Sequence, residues 1–92
     1  MDVKQQQKLK AQAHSLKPVV LMGEKGLTEN VMLEIDLALA SHELIKVKAG
    51  RLPKEEKQEI AEEIVKATKS EIVQIIGNIL VLYRHNPNKG KK

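Results

Sequence analysis

The 92-residue chain has no cysteine, no phenylalanine, no tryptophan and a single tyrosine, Tyr83. Without cysteine it has no disulfide framework and no thiolate zinc site, as suits a reducing compartment. Without aromatic platforms it cannot read single-stranded bases by stacking, which usually takes two or three rings. Phosphates, sugar hydroxyls and shape are then the main features of a nucleic acid left for it to recognise. No apolar run approaches the ~20 residues that span a bilayer. Residues 1–10 are too polar for a secretory signal, so the expected location is the cytoplasm.

Motifs of catalysis are missing too. His14, His42 and His85 fall in separate elements, with no H-E-x-x-H or comparable ligand spacing. No serine sits in a nucleophile elbow, and G-E-K-G-L-T at 23–28 is not a Walker loop. Glu55, Glu56, Glu59, Glu62 and Glu63 crowd the start and outer face of one predicted helix, where they complement its dipole. The sequence therefore predicts a protein that is not an enzyme and needs no metal or cofactor. His42, on the apolar side of a helix end, is expected to be a capping or core histidine.

At 41% apolar and 30% charged residues, the composition is that of a soluble globular chain. Its length makes one small domain, expected over residues 1–85, followed by a basic, disordered tail at 86–92 (N-P-N-K-G-K-K). The net charge of +4 is unevenly placed. Residues 1–26 carry five bases and two acids, 27–44 four acids and no base, and 45–54 four bases and no acid. Residues 55–71 carry six acids and three bases, and 72–92 four bases and no acid. Should the basic blocks meet in the fold, they make a positive surface with a negative back, the footprint of a polyanion binder.

The most informative segment is K-P-V-V-L-M-G-E-K-G-L-T at 17–28. A β-branched strand (roughly 18–22) runs into a G-x-x-G pair, Gly23 and Gly26, and a helix opens behind it. Glycines let the backbone turn tightly and present its N–H groups outward. The helix adds unpaired N–H groups and the positive end of its dipole, and Lys25 at the tip adds a full charge. The corner suits an anion; the plain alternative is a tight turn with no ligand.

A polar helix spans 5–14, with Leu9 and Ala13 four apart, and Pro18 ends it. Thr28 is the expected N-cap of a second helix, with Leu27 and Met32 as a hydrophobic staple. That helix runs to about Ser41, with Val31, Ile35, Ala38 and Leu39 on one face. Leu33 and Leu37 lie on the other and call for a second packing partner, for which the first helix is the candidate. A strand at 44–49 sets Ile45 and Val47 against Lys46 and Lys48. Pro53 opens a third helix with the stripe Ile60, Ala61, Ile64, Val65 and Thr68. A hairpin then joins 72–76 to 79–82 through Gly77-Asn78, as a type II′ turn. It predicts the pairs Ile75–Leu80, Val73–Leu82 and Glu71–Arg84 on a core face. Ile76–Ile79, Gln74–Val81 and Ile72–Tyr83 fall on a more open one. The order α-β-α-β-α-β-β implies a two-layer α/β domain on a four-stranded mixed sheet.

Three blocks in order, L-K-P-V-V-L-M-G-E-K-G-L-T (16–28), H-E-L-I-K-V-K (42–48) and I-G-N-I-L-V-L-Y-R (76–84), resemble the CRM domain. The resemblance is to its stand-alone bacterial YhbY-like members and covers residues ~5–84. It implies a fold like the C-terminal domain of the third bacterial translation initiation factor, preceded by an extra helix. It also implies RNA binding centred on Gly23, Glu24, Lys25 and Gly26, and association with precursors of the large ribosomal subunit. Glu24 departs from the neutral or basic residues such a loop favours. Lys46, Lys48 and Arg51 would widen the positive surface, and Lys10 and Lys17, with Lys4 and Lys8, would extend it. The expected partner is ribosomal RNA and the expected state a monomer, with no membrane. The alternative is a protein-docking module that uses the Leu33/Leu37 face on a ribosomal protein or assembly factor.

Overall fold

Asp2, Thr28 and Pro53 start the three helices of the computed structural model, which describes residues 2–23 and 26–86. Glu24 and Lys25, and residues 87–92, where the sequence places most of a disordered tail, lie outside the described residues. In α1 (Val3–His14) the Asp2 carboxylate accepts from the Gln5 N–H at 2.7 Å. In α2 (Glu29–His42) Thr28 Oγ1 accepts from the Val31 N–H at 3.2 Å, as its cap position predicts. Helix α3 (Lys54–Thr68) has no side-chain cap. Pro53 stands one place before it, its φ of −56° already helical.

The strands are β1 (Val20–Leu21), β2 (Leu44–Lys48), β3 (Glu71–Ile76) and β4 (Ile79–Tyr83), in the sheet order β1-β2-β4-β3. Strands β1 and β2 are parallel and the other pairs antiparallel, which makes the sheet mixed. Strand β1 is short, but Val19 N–H to Lys46 O (3.0 Å) and Met22 N–H to Lys48 O (2.9 Å) extend its pairing at both ends.

Helices α2 and α3 cover one sheet face and form with it the two layers expected. Ile35 and Leu39 of α2 and Ala61 and Ile64 of α3 close on Val20, Ile45, Val47, Leu80 and Leu82. Helix α1 does not join them. Its Leu9 and Ala13 pack on the opposite face, against Leu44, Val73 and Val81, so that face is less open than expected. Leu33 and Leu37 consequently have no cover from α1 and are 61% and 66% exposed. His42, at the end of α2, is exposed rather than in the core.

The hairpin turn has φ > 0 at Gly77 and not at Asn78, the sign pattern of type II′. Near the turn the register is as predicted: Ile76–Ile79, Ile75–Leu80 and Gln74–Val81. An irregularity between Ile72 and Gln74 then shifts it by one, to Ile72–Leu82 and Glu71–Tyr83. The extra residue is Val73, and a bulge sends it to the face of α1 while Ile72 turns toward α2 and α3. Hairpin arithmetic misses this because it assumes strict alternation.

The same shift removes the expected Glu71–Arg84 pair. Arg84 instead bonds to Asp36 of α2, with Nη1 2.6 Å from the carboxylate. It also donates to the backbone oxygens of Thr68 and Asp36, each at 3.0 Å. One guanidinium thus ties β4 to both helices of the main layer. Since the Asp36 side chain is half-exposed, the bonds to carbonyls carry more of the effect than the ion pair. Arg84→Met should lower the unfolding free energy by about 1–2 kcal/mol, read as a shift in urea midpoint without a change in m-value.

Candidate nucleic-acid interface

Parallel pairing makes β1 and β2 end side by side. Past their last rung, β1 enters the glycine turn and β2 enters Ala49-Gly50-Arg51. The two segments bound a groove of about 430 Å³ lined by Met22, Gly23, Gly26, Gly50, Arg51 and Leu52. The Gly26 N–H donates to the Gly23 oxygen at 3.0 Å, closing a four-residue turn, and Gly26 has φ +74°. A Cβ at either glycine would meet nothing within 4 Å. Both glycines therefore stand clear of the fold, and a ligand can approach their backbone. Glu24 and Lys25, between the two glycines in sequence, lie outside the described residues.

The basic residues divide into groups. Arg51 lines the glycine groove. Lys46 and Lys48 share one side of β2, as alternation predicts, and that is the side facing α1, since Ile45 and Val47 fill the opposite core. Lys48 is exposed and Lys46 half-buried. Lys10 of α1 joins Lys46 in a second groove, between helix and sheet. Lys17 is not part of this set. It lines a cleft with Gln12, Leu16, Val19, His42 and Leu44, six residues and roughly 20 Å of extended chain before the glycine turn. Lys4 and Lys8 are exposed on α1.

Charge is polarised between layers. Helix α1 carries Lys4, Lys8 and Lys10 and no acid, whereas α2 on the other side carries Glu29, Glu34 and Asp36 and no base. Arg84 is engaged by Asp36, and Tyr83 is half-buried beside the α1 cluster. Among the described residues, no three His, Cys, Asp or Glu side chains are grouped to hold a metal ion. No helix among them is long and apolar enough to cross a membrane.

The family signature fits this architecture from end to end: the profile of the CRS1/YhbY (CRM) domain matches residues 1–84. The chain belongs to the CRM domain family. A Haemophilus influenzae protein named "RNA-binding protein" is 55% identical over 84 residues, covering 91% of this chain and 85% of the relative. Bacillus subtilis "Probable RNA-binding protein YqeI" is 40% identical over 83 residues, covering 90% and 86%. The solution structure of hypothetical protein SAV1595 from Staphylococcus aureus superposes with a TM-score of 0.85 at 38% identity, covering 100% of this chain and 94% of that one. The fold, with three helices on a four-stranded mixed sheet, is therefore shared with that solved structure.

The two glycines of the turn differ physically. Gly26 occupies the left-handed region and Gly23 does not. Gly26→Ala should cost about 1 kcal/mol of stability from backbone strain alone. Gly23→Ala, placed in open space, should stay within about 0.5 kcal/mol of wild type. Thermal or urea unfolding monitored by circular dichroism separates the two.

Proposed function

We propose that this CRM domain is a non-catalytic, cytoplasmic, monomeric RNA-binding protein that associates with precursors of the large ribosomal subunit and assists their assembly. The sugar-phosphate backbone is gripped by the loop Gly23, Glu24, Lys25 and Gly26, through its amides and the Lys25 ammonium. Arg51, Lys48, Lys46 and Lys10 widen the contact, with Lys17 at its far margin. The observation that carries the reading is the groove in which the glycine turn and Arg51 lie together, open to solvent, in a family whose curated relatives are named for RNA binding. Phosphate contacts position RNA without specifying sequence, so overall discrimination is modest.

A second reading, docking on a ribosomal protein through α2, is favoured by the exposure of Leu33 and Leu37 on an acidic helix. Salt separates the two. Binding to a ribosomal RNA fragment through about four phosphates should weaken with salt at a log–log slope near −3. Gly23→Asp, which adds an acid to the turn where there is room for it, should reduce affinity at least ~10-fold while leaving the unfolding curve in place. An RNA affinity indifferent to salt and to Gly23→Asp would remove the loop mechanism.

A further inference from the structure

Helix α1 covers only part of its sheet face. Beyond its edge a row of paired residues crosses all four strands, Leu21–Lys48–Ile79–Ile76. Leu21 and Ile76 at its two ends are 65% and 52% exposed. In the next row toward the helix, Lys46 pairs with Val81 and Val81 with Gln74. That row floors a groove of about 360 Å³ whose wall is Lys10, Ala11 and His14 of α1.

Three features define what the groove can hold. Its ionisable lining is Lys10, His14 and Lys46, with no carboxylate, so it suits an anion. Ile76, Val81 and Ala11 offer an apolar surface between those groups. The side-chain amide of Gln74, half-buried on the edge strand, makes no hydrogen bond among the described residues. It therefore presents a donor and an acceptor together. The volume lies at the lower end of the ~300–1,000 Å³ typical of small-ligand sites, room for one ring system rather than a length of chain. A flat apolar ring with a mixed hydrogen-bonding edge, attached to phosphate, is a nucleotide.

We propose that this groove receives the base of one unpaired nucleotide, preferentially adenine, of the RNA held at the glycine turn. Gln74 meets the N6/N7 edge of the base, the bidentate pairing that an amide makes with adenine. Lys10 and Lys46 meet the flanking phosphates, and Lys48 bridges toward Arg51. The proposal rests on the RNA-binding reading and adds to it a point of base discrimination that needs no aromatic ring.

The test uses RNA hairpins identical except for one unpaired position, carrying adenosine, uridine or an abasic site, titrated by fluorescence anisotropy at fixed salt. Wild type should bind the adenosine hairpin about 5–10-fold more tightly than the abasic one. Gln74→Leu should bring the three together while retaining the salt slope. As a readout independent of any variant, the Gln74 side-chain amide resonances should shift with the adenosine hairpin and not with the abasic one. Equal wild-type affinity for all three hairpins, with unmoved Gln74 resonances, overturns the groove assignment and leaves the RNA-binding reading standing. Absence of binding to every hairpin and to ribosomal RNA overturns both. Gln74 shifts caused by an acidic peptide and by none of the hairpins overturn it in favour of a protein partner.

Discussion

The parallel pairing of β1 with β2 is the constraint on which the candidate interface depends. Strand β1 has only two residues, yet rungs at Val19 and Met22 lock it against the centre of the sheet. Because the strands are parallel, their chains leave from the same end, and two loops far apart in sequence become the walls of one groove. An antiparallel partner would carry Arg51 to the opposite end of β1. Val20, buried under α2, fixes which way β1 faces, and so which way the glycine turn opens.

Covering the sheet on both sides asks β3 for something simple alternation cannot supply. It must give Ile72 and Ile75 to the main core and Val73 to α1. The bulge at Val73 reconciles these demands. It also frees Arg84 from β3, so that its guanidinium faces Asp36 and the end of α3. Two further connections are tight enough to need unusual backbone. Glu43, between α2 and β2, has φ 64°, and Lys69, after α3, has φ 57°. Glu43 is held by the Arg84 N–H on its oxygen and by the Asn86 N–H on its carboxylate. The strain of the first reversal is thus met by the chain that follows β4.

The distribution of charge follows from layer order. Helix α1, rich in lysine, lies on the sheet side that also presents Lys46 and Lys48, and the acidic α2 lies opposite. A polyanion would meet one side of the molecule and be repelled by the other. That asymmetry orients an encounter before any specific contact forms. A polyanion binder almost without aromatic residues would have orientation and backbone contact as its main resources.

The sequence by itself determined the element order, the Thr28 cap, the type II′ hairpin, the alternation of Lys46 and Lys48 and the glycine turn. These depend on interactions within a few residues, where capping, turn chemistry and period-two patterning act directly. It also carried the family signature, since three spaced blocks survive as linear patterns. Only the tertiary structure decided which sheet face α1 covers, because Leu9 and Ala13 fit any apolar surface and name no partner. It alone placed Val73 in a bulge, paired Arg84 with Asp36, parted Lys17 from the glycine turn and left Gln74 open beside Lys10 and Lys46. Each of these joins residues distant in the chain, and long-range contacts are settled by competition among packings that local pattern cannot rank.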